Sequence, residues 1–184
     1  MAVPSVRLRR RLLLLGMMAL PAASRANGEA STEYQIKAAF VCKFGNYVEW
    51  PAEALGRSGE PFRIGVLGDE AVLEVLRRTA AAASVAGRPV EMLPLSRADL
   101  PDGLHAIYIT RSVTAQAASA LAAARGRPIL TITELDQGRT AGMINFVIVD
   151  DKVRFDIQLP AAAQSGLKIS ARLLGVARRI EGRN

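Results

Sequence analysis

From Thr32 onward, apolar residues recur at Ile36, Phe40, Phe44, Tyr47 and Val48. Steps of three and four predict a helix with one apolar stripe. Thr32 and Gln35 have the spacing of a capping box, and Pro51 stops the run by biasing Trp50 away from helical conformation. The pattern then alternates between short β-rich runs and helical ones. Phe62–Leu67 reads as a strand, and Gly68-Asp69 turns the chain, with Asp69 placed to cap a helix from Glu70 to Ala82. Pro89–Leu93 and His105–Thr110 read as the next strands. Ser112 or Thr114 can cap a helix to Ala124 that Gly126 closes, and Pro128–Ile132 follows as a fourth strand.

Beyond this point the pattern changes. Met143–Val149 and Lys152–Leu159 read as two strands joined by the tight acidic turn Asp150-Asp151. In the second, Val153, Phe155 and Ile157 alternate with Arg154, Asp156 and Gln158, so one face is buried and the other polar. Pro160 suits the first turn of a helical piece that Gly166 ends. Ser170 can cap a last helix with Leu173, Leu174, Val176, Ala177 and Ile180 on one face. Strands alternating with helices predict a single-domain α/β fold: a mostly parallel, mixed sheet of about six strands, helices on both faces, and a C-terminal β-hairpin followed by helix.

The first 26 residues follow a different pattern. Arg7, Arg9, Arg10 and Arg11 precede the apolar run Leu12–Leu20, and Ser24-Arg25-Ala26 supplies small residues for cleavage. This is the order of a secretory signal peptide, and the run is shorter than the ~20 residues that a bilayer span requires. The expected division is therefore a leader over 1–26 and an exported, non-membrane-spanning domain over 27–184. An arginine pair before the apolar run also fits a twin-arginine signal, so the export route stays open. The whole chain carries +7, but five of its arginines lie in the leader, which leaves +2 for the rest. A nearly balanced domain offers no electrostatic case for nucleic acid.

Candidate chemistry is sparse. The sequence has no P-loop, G-x-S-x-G, H-E-x-x-H or C-x-x-C pattern. Its one histidine, His105, opens a strand without a second His or Cys beside it, and reads as a satisfied strand-edge residue rather than a metal ligand. Gly65-Val66-Leu67-Gly68-Asp69 reads as a turn with a capping Asp, because Asp69 would repel phosphate. Asp150-Asp151 reads as a turn, and no cofactor or metal is expected. The single cysteine, Cys42, excludes an intrachain disulfide and lies in an amphipathic pattern that suits a buried thiol. Two features suit binding. Trp50, the only tryptophan, is of the type enriched at interface hot spots, but reads first as the plug of a helix end against the core. Arg154, Asp156 and Gln158, with Lys168 and Arg172 shortly after, form either a solvated face or a surface for a partner or small ligand.

Several stretches together resemble the YfiR family. They are Tyr34-Gln35-Ile36-Lys37-Ala38-Ala39-Phe40, Phe44, Val48-Glu49-Trp50-Pro51, Ala141-Gly142-Met143-Ile144-Asn145-Phe146, Val153-Arg154-Phe155-Asp156-Ile157, Gly166-Leu167-Lys168-Ile169-Ser170, Leu173-Leu174 and Ala177-Arg178. The resemblance runs from Tyr34 to Ile180. It implies a periplasmic, non-enzymatic regulator that binds the periplasmic part of an inner-membrane diguanylate cyclase and so restrains cyclic di-GMP signalling and biofilm formation. An OmpA-like outer-membrane lipoprotein would relieve the block. A sensor kinase is the other membrane partner implied, and a small-molecule-binding sensor feeding such a kinase is the alternative reading. Gln158 and Ala141 depart from the family pattern, where Asn and Gly are usual. Redox control by an internal disulfide, seen in relatives with cysteine pairs, is not available here. The oligomeric state, a homodimer included, stays open.

Overall fold

A computed structural model of the chain describes residues 23–96, 99–135 and 141–182. Most of the expected leader, residues 1–22, lies outside them, while Ala23–Ala26 belong to the first helix. That helix, α1 (Ala23–Phe44), passes through Thr32 instead of starting there. One 3₁₀ turn, Gly45–Tyr47, links it to the two-residue strand β1 (Val48–Glu49). Gly45 is needed at this bend, because a Cβ there would lie 2.7 Å from Val85 Cγ1. The expected strand–helix alternation follows: β2 (Phe62–Leu67), α2 (Glu70–Ala80), β3 (Ser84–Val85), β4 (Arg88–Leu95), β5 (Ala106–Ile109), α3 (Thr114–Ala124) and β6 (Leu130–Thr133). Asp69 occupies the N-cap position of α2, but its side chain makes no cap bond. Its carbonyl takes the first helical N–H instead.

Next come β7 (Ile144–Val149) and β8 (Lys152–Gln158), joined by Asp150 and Asp151 at φ 49° and 55°. Two consecutive left-handed residues form the type I′ geometry that matches strand twist. The chain then forms α4 (Leu159–Gln164), the two-residue β9 (Lys168–Ile169), the single turn α5 (Ala171–Leu174) and β10 (Arg179–Glu181). The last stretch corrects an expectation. The predicted C-terminal helix stops after one turn; Val176 is exposed, and Ile180 lies on a strand that runs parallel to β8, with Ile180 opposite Ile157.

The main sheet has eight strands in the order β10-β8-β7-β6-β5-β2-β4-β3. Pairing is parallel from β4 through β2, β5 and β6 to β7, antiparallel for β7–β8 and β3–β4, and parallel again for β8–β10. The α/β mixed sheet is as expected. The strand count is higher because β3, β10 and the separate β1–β9 ladder are two or three residues long, too short to register in a periodicity.

Alternation along the strands sends residues into two cores. Phe62, Ile64, Tyr108, Ile132, Phe146, Phe155 and their same-face neighbours pack with α1 and α2. Leu67, Ile107, Ile109 and Ile129 pack with Ala117, Ala120 and Ala124 of α3 on the opposite face. The first core is centred on Phe40, Phe44, Phe146 and Phe155, with ring centroids 5.2–6.2 Å apart. Each such pair adds about 0.5–1.5 kcal/mol beyond area burial.

The helical stripe expected on α1 is rotated. Ile36 and Tyr47 are exposed, and the buried positions are Lys37, Ala38, Val41, Cys42 and Phe44. A lysine that is 2% exposed on the core-facing side needs partners, and these are described below.

A buried polar pin fixes how β7 enters the sheet. Asn145 Oδ1 accepts from Thr133 Oγ1 at 2.7 Å and from the Leu135 N–H at 2.9 Å, while its Nδ2 donates to the Leu135 carbonyl at 3.0 Å. Gly142 and Met143 donate their N–H groups to the Thr133 and Thr131 hydroxyls. Gly142 lies so close that a Cβ would meet the Thr131 carbonyl oxygen at 2.7 Å. These contacts give the Gly142-Met143-Ile144-Asn145 run its physical reason.

Candidate functional site

The structure separates the predicted binding residues. Trp50 is half-buried; its Nε1 donates to the Gly45 carbonyl at 3.1 Å and its ring stands edge-on to Phe62 at 5.3 Å. It plugs the end of α1. Lys168 lies on the β1–β9 ladder opposite Glu49, with Nζ 3.8 Å from Glu49 Oε2, and both side chains are widely exposed. Such a pair contributes little. Arg172 is exposed on α5. No ion pair among the described residues joins Lys168 or Arg172 to β8.

Arg154, Asp156 and Gln158 do share one face of β8, with Arg154 exposed and the other two half-buried. Asp156 is taken up by a bidentate pair with Arg178, which lies just before β10; the Nε–Oδ1 distance is 2.7 Å. This carboxylate holds the Arg178 guanidinium above its ordinary pKa. Asp156 thus ties the edge strand to β8, and Arg154 is the group left facing outward.

The most densely wired cluster was not singled out from sequence. It forms where β5 and β6 end side by side in register, with Ile109 opposite Thr133. The next charged residues, Arg111 after β5 and Glu134 after β6, meet there, and α1 lays Glu33 and Lys37 across them. Lys37 Nζ sits 2.5 Å from Glu33 Oε1 and 2.6 Å from Glu134 Oε2. Arg111 pairs with Glu33 and places Nε 3.2 Å from Glu134 Oε2. The Tyr108 hydroxyl donates to the other Glu134 oxygen. Lys37 also lies over the rings of Tyr34 and Phe146, 5.1 and 5.8 Å from their centroids.

Burial pushes the Glu134 pKa up, against the pull of Lys37. The Tyr34 hydroxyl is pushed up by partial burial and then by the Glu134 charge. Two cues lie in the sequence: Glu33 and Lys37 have i, i+4 spacing, and a lone acid ends the apolar run Ile129–Thr133. What no local pattern carries is the 97-residue separation between Lys37 and Glu134. Beside the cluster opens a pocket of about 340 Å³, lined by Lys37, Arg111, Thr114, Glu134, Leu135 and part of β7.

His105 is packed away as expected. Its Nδ1 accepts the Arg63 N–H at 3.0 Å, its ring stacks on Phe62 at 4.7 Å, and burial followed by the charge of Arg88 pushes its pKa down. Cys42 is a buried thiol pushed up to about 11 by desolvation. Among the described residues no His, Cys, Asp or Glu group is arranged to hold a metal, and no helix is long and apolar enough to cross a membrane.

Fold and sites together define an α/β domain with a buried ion cluster at the ends of β5 and β6 and an exposed Arg154 on β8. The chain belongs to the YfiR/HmsC-like family, whose model matches residues 34–178. No curated protein matches it. The matched span reaches from the cation-bearing part of α1 to the Arg178 that ties β10 down, and covers every residue named in the two sites except Glu33.

Proposed function

We propose that this chain is a periplasmic regulator that docks onto the periplasmic part of an inner-membrane diguanylate cyclase and lowers cyclic di-GMP output, with an OmpA-like outer-membrane lipoprotein as the competing partner that relieves it. The family match over residues 34–178 carries the reading, because that family suggests a periplasmic regulator of diguanylate cyclase signalling. The leader pattern of residues 1–26 supports export. Docking can restrain a cyclase only by favouring one of its states, so the contact surface must discriminate between them.

The outer face of β8 is the surface proposed for that contact. Arg154 is exposed there while its neighbour Asp156 is occupied by Arg178. Arg154→Glu should weaken capture of the cyclase's periplasmic domain at least about tenfold, since charge reversal places like charges opposite one another. The melting temperature should stay within about 2 °C, because exposed substitutions rarely move stability by more than about 0.5 kcal/mol. In cells, loss of the protein should raise cyclic di-GMP. An unchanged level in the deletion strain would remove the cyclase reading, and unchanged capture by Arg154→Glu would remove this face.

A further inference from the structure

The pocket next to the buried ion cluster has the build of a ligand site. It lies beyond the carboxyl ends of the parallel strands β5 and β6, where open α/β sheets place their ligands. At about 340 Å³ it lies at the small end of the ~300–1,000 Å³ range of such pockets. Its lining mixes charged and hydroxyl-bearing residues (Lys37, Arg111, Thr114 and Glu134) with apolar ones, of which Leu135 and Phe146 are almost fully buried and Ile148 offers the most open surface. Ile148 is 45% exposed, an apolar side chain left facing solvent at the mouth.

The unused hydrogen-bonding capacity decides the polarity of the ligand. Both oxygens of Glu134 are engaged, one by Tyr108 and the other by Lys37 and Arg111. Glu33 holds Lys37 and Arg111. Arg111 has five N–H donors, and among the described residues its bonds use two nitrogens, Nε and Nη2. Its guanidinium is half exposed, and Thr114 lines the same pocket. Among the described residues, what remains for a ligand is donor capacity, which suits an acceptor head on an apolar body. We propose that this pocket binds a small organic acid, its carboxylate on Arg111 and Thr114 and its apolar body against Ile148 at the mouth. The four named side chains, two acids against two bases, are neutral overall, so affinity rests on directed hydrogen bonds and apolar contact and falls near the millimolar range.

Hexanoate and benzoate are suitable probes, with hexylamine and benzamide as matched controls. The two acids should raise the melting temperature saturably and the controls should not. Arg111→Gln should weaken hexanoate at least about tenfold, the loss expected for a hydrogen bond to a charged group. Arg111 also braces the cluster, so Ile148 provides an independent test at an exposed position. Both Ile148 variants lose an apolar contact, but Ile148→Glu should weaken hexanoate at least about tenfold more than Ile148→Lys, because only the glutamate repels the carboxylate. No saturable shift with either acid up to about 10 mM, equal response to hexylamine, or equal hexanoate affinity in the two Ile148 variants would each overturn the assignment. None of these outcomes bears on docking at β8, which is read by capture of the membrane partner.

Discussion

Replacing Lys37 with methionine tests the buried cluster most sharply. Methionine keeps most of the apolar stem, is one atom shorter, and removes the ammonium with both its charge and its bonds to Glu33 and Glu134. Lys37 is 2% exposed and lies 2.6 Å from Glu134, whose side chain is 3% exposed. Removing one member of a buried pair costs roughly 3–5 kcal/mol, chiefly because the partner's charge is left stranded. Arg111 at 3.2 Å and the Tyr108 hydroxyl remain on Glu134, which argues for the lower end, about 3 kcal/mol, or roughly 6–12 °C in melting temperature for a chain of this size.

The loss should also depend on pH in one direction. The Glu134 pKa is already raised in the folded protein by burial, and Lys37 is the largest influence holding it down. Without Lys37 it rises further. A carboxyl with a raised folded-state pKa binds protons more readily folded than unfolded. Its stabilising contribution is therefore full below the unfolded pKa and lost as pH rises through the folded one. Urea titrations should show the full deficit near pH ~7.5 and a smaller one near pH ~5. Lys37→Met combined with Glu134→Gln should recover most of the loss, because no charge is then stranded. A deficit under about 1 kcal/mol at neutral pH, or one that widens on acidification, would refute the argument.

Gly142→Ala should destabilise by about 1–3 kcal/mol, since the new methyl would meet the Thr131 carbonyl oxygen at 2.7 Å and backbone on both sides must move; an unchanged urea midpoint would contradict it. Changing Asp150-Asp151 to Asn-Gly should raise stability by about 1 kcal/mol, because both residues hold positive φ (49° and 55°) and the new pair favours that geometry; a lower melting temperature would count against the turn. Cys42, buried with its pKa pushed up to about 11, should react with a disulfide reagent at pH ~8 only on unfolding, so prompt labelling of the native protein would place the thiol at the surface.

The parts of the fold legible in sequence were those written in local periodicity. Phe62–Leu67 forms the strand its residues describe, and the β7–β8 hairpin turns at Asp150-Asp151 as read. Departures arise where a distant partner overrides the local signal. The stripe of α1 is turned so that Lys37 enters the core, because Glu134 lies there to receive it. Ile180 continues a helical pattern in sequence yet lies on a strand, because β8 offers a free edge and Arg178 bonds to Asp156 and to the Phe155 carbonyl. The candidate surface was legible only in part. Alternation along β8 placed Arg154, Asp156 and Gln158 on one face, but that Asp156 is already held by Arg178 could not be read from spacing. The ion cluster joins α1, β5 and the end of β6, and no window of sequence contains all three.

The position of Trp50 has a practical consequence. As the sole indole, wedged between the Gly45 carbonyl, Phe62 and His105, it makes ultraviolet emission a gauge of whether α1 and β2 are still assembled. That signal arises away from the β8 face and the β7 wall, so fluorescence will follow unfolding while staying blind to occupancy at either place, and a dye introduced near the hairpin will be needed to watch binding by light.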